Sequence, residues 1–593
     1  MPMNQHPPSG LIGYFLFLLI SVGSLSAQNA DQTFDRLSVA YVNQAMALSP
    51  VGATQTGDHR FDSMLDEVSE SSRNYRLAFY ERFLKLVDSI AGEELSRDRQ
   101  VDAALLKNRL KSGIWRLTVL KEWEWNPLVY TRLTGGAVYS LMARDFAPLI
   151  QRLNHVADRL ELMSSLFPQI RRTLKAEKVP RIHAETAVKQ NRGVLNLLDN
   201  MVLPVAHQLN DKDQKRLNAA VKAARKAVEV HQQWLEKRLL PAANGNFRIG
   251  AELFDRKLAY ALQTPLDRQQ VRERAESEYR RVREEMFEVA KRIYLKQFPF
   301  TEFPEQTSEP YQQAITRAAL EITYLDLPDR DGIVKVAGDQ VQEAIQFVRE
   351  KKIVTVPDAP LEIILMPEFR RGVSVAYCDS PGALDKGQKT YYAVSPLPED
   401  WNETQVMSFL REYNLWSMHD LTMHEAVPGH FLQLAHSNQY PSVIRALLSS
   451  GPFIEGWAVY SERVMVNQGY LGGDDRLRLI NLKWYLRGIV NAMIDQMIHV
   501  DGMTEQEAMG LMIEGAFQEE REAAGKWIRA QLTSAQLSTY FVGTLEHWDL
   551  RNTVEKQRGD EFNLQNYHDQ LLSYGSPPVR FVRALMLNEP IPE

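Results

Sequence analysis

Three textures alternate along the chain when it is read for the spacing of its apolar positions. From about Asn29 to Gln297, apolar residues recur at i, i+3, i+4 and i+7. DAALLKNRLKSGIWRLTVL (102–120), FAPLIQRLNHVADRLELMSSLF (146–167) and QVRERAESEYRRVREEMFEVAKRIYLKQF (270–298) each carry one apolar stripe and one charged face. That period predicts amphipathic helices packed side by side, with charge runs such as RRVREE as solvated faces. Between Pro357 and Pro398 the period changes. LEIILMPE, GVSVAYCDS and KTYYAVSP are short runs of β-branched and aromatic residues bounded by Pro, Gly and Asp, and they predict a small sheet. After Trp401 the helical spacing returns and lasts almost to the end. A small sheet just upstream of the richest motif is a natural place for a substrate cleft. The strand around Tyr392 is expected to offer an edge to an extended peptide.

The remaining texture is N-terminal. LIGYFLFLLIS (11–21) is uncharged, shorter than the roughly 20 residues that span a bilayer, and followed by small residues. It predicts a signal peptide over residues 1–27 and export to the periplasm or beyond, with a retained N-terminal anchor as the alternative. No later run of that length occurs, so no stable membrane insertion is expected once the signal is removed. The rest is read as one enzyme body, a helical part over 28–350 continuing into a part over 351–593 that holds the sheet and the chemistry.

Charge and cysteine content narrow the chemistry. Lys plus Arg is 69 and Asp plus Glu is 75, a net charge of −6, which leaves no basic excess for a phosphate backbone and argues against nucleic acid. A single cysteine, Cys378, excludes intrachain disulfides and zinc–thiolate knuckles. Any metal would be held by His, Asp and Glu.

Those residues concentrate in LTMHEAVPGHFLQLAH, which carries His424, Glu425, His430 and His436. A His-Glu pair followed by a second His is how zinc peptidases set two neutral imidazoles and a general-base carboxylate around one metal. In the common form the histidines are four apart and share a helix face. Here they are six apart, which on a straight helix leaves them about 240° and 9 Å from each other. Pro428 has no N–H for the His424 carbonyl, and Gly429 tolerates the positive φ of a looped-out residue. A bulge of about two residues would make six behave as four. Asp420, four residues before His424, is a partner or alternative ligand; His419 and His436 read as local hydrogen-bonding groups.

A catalytic zinc keeps three protein ligands and one open position. FIEGWAVYSERV supplies Glu455, read as opening a helix and as the third ligand, with Glu462 supporting from the same face. Further on, KWYLRGIVNAMIDQMIHV places Arg487, Asn491, Asp495 and His499 four apart on an otherwise apolar helix. Buried charges are costly unless paired, so this stripe is either an internal network or an active-site wall. In the second case Asp495 would orient His499 toward an oxyanion. Arg487 and Arg580 are candidates for a substrate's terminal carboxylate.

HEAVPGH (424–430), EGWAVYSERV (455–464), LRGIVNAMIDQMIH (486–499), STYFVG (538–543) and YGSPP (574–578) occur together and in the order seen in the bacterial domain-of-unknown-function 885 family. The N-terminal ALSPVGATQTGDHRFDSMLDE also resembles that family, so the likeness spans most of the chain. It implies a mainly α, zincin-like body of the gluzincin type with a small β-sheet beside the active-site helix. It further implies one Zn²⁺ per chain at His424, His430 and Glu455, Glu425 as base, and Tyr540 and His499 lining the cleft. Phe431 stands where many members have a further histidine. The function expected is an exported zinc metallopeptidase acting on oligopeptides. The alternatives are an amidase for cell-wall or other non-protein amides and a non-catalytic exported binding protein.

Overall fold

The apolar stripes become helices. A computed structural model describes residues 30–90, 92–366, 376–397 and 401–592; the expected signal over 1–27 lies outside the described residues. In the N-terminal half, α1 (Pro50–Thr56), α2 (Leu128–Met142), α3 (Leu149–Thr173) and α4 (Asp211–Trp234) form one wall. Leu153, Val156, Leu160, Met163 and Phe167 of α3 share a core with Leu217, Val221, Ala224 and Val228 of α4. Each large side chain sealed in this way contributes about 1.5–3 kcal/mol over its exposed state, which is what converts a sequence period into a packed pair.

The long α5 (Arg268–Gln297) is started by a capping box at Asp267 and Gln270. The chain then passes through α6 (Ile333–Glu350) into three strands, β1 (Leu361–Leu365), β2 (Ala376–Asp379) and β3 (Thr390–Val394). Their order is β1-β3-β2, with β1 parallel and β2 antiparallel to β3. This corrects the expectation for Tyr392. It lies in the central strand, 1% exposed, with both sides of the backbone already paired. Its hydroxyl lies 3.3 Å from Thr422 Oγ1, within hydrogen-bond distance. The edge beside the site is β2.

The C-terminal half is again helical: α7 (Leu415–Glu425), α8 (His430–Ser437), α9 (Gly451–Asn467), α10 (Asp475–Gln496), α11 (Glu520–Leu532) and α12 (Ser538–Arg558). The protein is thus mainly helical with one small sheet. Ile480, Leu486 and Ile489 of α10 pack with Val282, Met286 and Val289 of α5. Phe453, Trp457 and Tyr460 of α9 pack with Met423 of α7 and Val394 of the sheet. At the crossing of α9 and α12 the two backbones touch. A Cβ on Gly543 would lie 1.9 Å from the Pro452 carbonyl oxygen, and one on Gly456 2.5 Å from Gly543 Cα. Only glycine allows that approach, and it draws α9, with its two glutamates, tightly into the body. Among the described residues no helix is long and apolar enough to cross a membrane.

Candidate metal centre

Two histidines six apart share a face because the helix stops between them. α7 ends at Glu425, where Ala426 and Val427 both donate to the Thr422 carbonyl at 3.0 and 3.2 Å. Pro428 cannot continue the ladder, Gly429 N–H donates back to the Met423 carbonyl at 2.9 Å, and α8 starts at His430. Gly429 has φ −72°, so its role is not the positive φ expected from sequence. It is needed for close approach: a Cβ there would sit 1.8 Å from the His424 carbonyl oxygen. From below, Trp457 of α9 donates its indole N–H to the Pro428 carbonyl at 2.9 Å and pins the looped-out pair.

The imidazoles of His424 and His430 meet edge to face, with centroids 4.7 Å apart. Glu455 closes the triangle, its Oε2 lying 3.7 Å from His424 Nε2 and 3.5 Å from His430 Nε2. One donor atom from each of the three falls within 4.8 Å of the others. Glu455 stands one turn inside α9 rather than at its start, because Ser450 caps the helix and Pro452 occupies its first turn.

A second layer holds the first. His424 Nδ1 hydrogen-bonds Glu462, leaving Nε2 directed at Glu455. Asn481 of α10 donates to Asp420 at 2.9 Å and to Glu462 at 3.4 Å. Asp420 is therefore behind the triangle and not part of it. Burial, and then the Glu462 charge, hold its carboxyl well above the usual range. Burial opposes charge on His424, yet hydrogen bonds to Glu455 and Glu462 lift it well above an ordinary histidine. Glu455 is conversely held far below the usual carboxylate range: burial alone would raise it, and the two imidazoles overcome that. The carboxylates thus demand positive charge between them. Two imidazole nitrogens and a carboxylate oxygen are also the donor types zinc takes. The residues present fit such an ion. Unlike His424, His430 has no partner at Nδ1 among the described residues.

Glu425 sits at the end of α7, its Oε2 accepting 2.9 Å from the backbone N–H of Cys378 in edge strand β2. A cavity of about 1210 Å³ opens on that strand at Tyr377 and Cys378. Its far side is the N-terminal wall, including Gln55 of α1 and Tyr139 of α2. Tyr540 stands in the first turn of α12. Burial and then the Glu455 charge raise its phenol, and Arg529 donates to its oxygen at 3.4 Å.

The polar stripe of α10 does not converge here. His499 is 2% exposed, its Nε2 within 2.9 and 2.7 Å of the carbonyls of Ala530 and Thr533, and its ring stacks on Phe254. It fastens the end of α11, which is a correction to the cleft role expected of it. Asp495 accepts from Ala535 N–H, Ser538 N–H and Ser538 Oγ at 3.0–3.2 Å, holding the turn that launches α12. Arg487 pairs with Glu522 of α11 at 2.5 Å. Arg580 lies over Phe581, and Glu546 is near enough to favour its charge. His419 and His436 bond Tyr470 and the Thr355 carbonyl. Sequence reasoning did not find Asn481 or the Cys378 amide. A backbone donor leaves no sequence signal, and Asn481 lies in a run, INLKWY, that reads simply as helix.

A mainly helical protein in which two histidines and a glutamate converge, with the adjacent Glu425 bonded to an edge strand that lines a large cavity, is the class this fold and site define. The chain belongs to the family described as bacterial protein of unknown function (DUF885), whose model matches residues 50–586. Among solved structures it is similar to one titled "putative lipoprotein of unknown function" from Shewanella oneidensis, with TM-score 0.80 and 34% identity over 93% of this chain and 99% of that one. A second, a "putative lipoprotein" from Colwellia psychrerythraea, has the same fold at TM-score 0.76 and 17% identity, covering 95% and 99%. Among curated proteins none matches.

Proposed function

We propose that the chain is an exported, zinc-dependent metallopeptidase of the zincin type that hydrolyses peptide bonds of oligopeptides. The observation that carries this reading is the convergence of His424, His430 and Glu455 with the carboxylate next in sequence, Glu425, held beside them by an edge strand. His424, His430 and Glu455 would hold the ion, which when bound supplies a Lewis acid for the scissile carbonyl and for water. Glu462 keeps the proton of His424 on Nδ1 and so keeps Nε2 available. Glu425 takes a proton from the attacking water and returns it to the leaving amine. Tyr540, whose phenol stays protonated beside Glu455, donates to the developing oxyanion. A cavity of about 1210 Å³ suits a bound oligopeptide, and β2 offers it an edge. Export is supported by the uncharged apolar run at 11–21 and by the lipoprotein titles of the two similar structures.

The test is Glu425→Gln assayed on a mixed peptide library by mass spectrometry. Wild type should cleave in a chelator-sensitive way. The variant should keep its zinc and lose about 10²–10⁴-fold in turnover. Equal turnover in the two proteins would discard the reading.

A further inference from the structure

The helix that follows the candidate centre carries more positive charge than the protein itself answers. Glu522, Lys526 and Arg529 lie four and three apart on α11 and so share one face. Arg487 reaches Glu522 from α10 at 2.5 Å. One residue on, Gly488 faces Tyr540, an added Cβ there lying 3.9 Å from Tyr540 Cβ. Nearby, Lys483 is answered by Glu412 at 2.8 Å. That leaves Lys526 and Arg529 without a carboxylate among the described residues. Arg529 donates only to neutral oxygens, to Gln536 at 2.8 Å and to Tyr540 at 3.4 Å. Lys526 is 5% exposed; among the described residues its ammonium is in no ion pair, and since that nitrogen is not among the sealed atoms that lack a partner, the little surface the residue keeps includes it.

Such a lysine is expensive to keep. Burial and the neighbouring Arg487 push its ammonium well below an ordinary lysine, and Glu522 only partly restores it. Glu522 itself is pressed by Arg487, Lys526, Lys483 and Arg529 at once, so its charge is already shared. A methionine of similar length would fill the same space without that cost. A largely buried lysine whose ammonium meets solvent and no carboxylate at ion-pair distance, one helical turn from an arginine that touches a candidate oxyanion donor, is what a site for an incoming anion requires.

We propose that Lys526 and Arg529, with Arg487 behind them, bind a carboxylate of the substrate on the C-terminal side of the scissile bond. This rests on the peptidase reading and narrows it. Arg529 touches Tyr540, and Tyr540 lies within the field of Glu455. A carboxylate held by Arg529 would thus lie on the Tyr540 side of the candidate centre. The substrates are then short peptides trimmed from a free C-terminus, or peptides with an acidic side chain in that position.

Binding can be read without turnover. Zinc-loaded Glu425→Gln protein is titrated calorimetrically with N-acetyl-Ala-Ala-Phe as the free acid, the same peptide as its carboxamide, and N-acetyl-Ala-Ala-Glu carboxamide. The free acid should bind at least about tenfold tighter than the Phe amide. Adding Lys526→Met or Arg529→Gln should bring the two within about twofold. Lys526→Met should also melt no lower than its parent, since it removes a largely buried lysine whose charge burial and Arg487 already disfavour. If the Glu amide matches the free acid and loses its advantage in both variants, the subsite takes side-chain carboxylates. If acid and amide bind alike, if no peptide binds, or if both variants keep the preference, the proposal is overturned. A wild type that cleaves nothing yet shows the acid preference would refute the peptidase reading and leave the carboxylate site standing.

Discussion

α9 and α10 each carry polar groups at helical spacing through an apolar interior, and they use them in opposite ways. On α10, Asp495 accepts three hydrogen bonds and the nearby His499 lies within reach of two backbone carbonyls, so each is spent on a neighbouring chain end. On α9, Glu455 meets two imidazoles that lie on another segment, and Glu462 meets one of them from behind. Both stripes look alike on a helical wheel. What separates them is whether the partner is backbone, which fixes structure, or another ionisable side chain, which leaves a charge demand that an ion or substrate can meet.

Glu455→Ala should break the symmetry most. Loss of one of three ligands should weaken zinc by well over about 100-fold, measured by equilibrium dialysis against a competing chelator. The urea midpoint of the metal-free protein should fall as well, since two imidazoles lose the carboxylate they share. Unchanged zinc affinity would put Glu455 in the same structural class as Asp495.

Asp495→Ala should do the converse. It strands the Ala535 and Ser538 N–H groups in a fully buried turn, and each orphaned donor costs about 1–3 kcal/mol. A loss of about 3 kcal/mol in urea unfolding is expected, with zinc affinity unchanged. A variant that keeps its stability but loses zinc would return the α10 stripe to the active-site wall.

Glu462→Gln falls between the two. It keeps the shape and weakens the hold on His424 Nδ1, so zinc affinity should fall about 10–100-fold, or about 1.4–2.7 kcal/mol. An intact affinity would mean that Asn481 and packing alone orient the ring.

The spacing of apolar residues made the helices and the small sheet legible, because burial acts on one face of each element and period follows from that. The six-residue gap could be read as a bulge because Pro428 lacks an N–H, a local and unconditional fact. Gly429 was misread, since glycine serves both positive φ and close approach, and only the His424 carbonyl standing 1.8 Å from its missing Cβ tells which. Tyr392 was misread because strand order is a long-range property: β3 looks no different as an edge or as a centre. Lys526 was invisible for a related reason. In EREAAGKWIRAQL it resembles one more solvated lysine, and its burial is a property of the folded chain that no local spacing carries.

His59 offers the smallest effect and a third arrangement, in which a titratable group is fully answered yet still able to switch. It follows α1, and its Nδ1 and Nε2 each lie 3.1 Å from a carboxylate, Asp62 on its own segment and Asp385 between β2 and β3. The ring stacks on Phe146 at 3.7 Å. Leu384 N–H also donates to the Thr56 carbonyl at 2.8 Å, so this contact straps the N-terminal wall to the sheet. Burial opposes protonation, but the hydrogen bonds to Asp385 and Asp62 outweigh it and lift His59 to about 9. The folded value lies above the unfolded one near 6.5, so the stabilisation is complete below about pH 6.5 and is lost as pH rises through about 9. Full linkage would be about 3 kcal/mol; with the side chain 28% exposed, about 1–2 kcal/mol is the realistic share. Wild type should lose that much more stability between pH 7 and pH 10 than His59→Gln, followed by urea unfolding at each pH. Parallel pH profiles would show that the strap is held by packing and not by charge, leaving the charge demand of α9 as the feature that sets the candidate site apart.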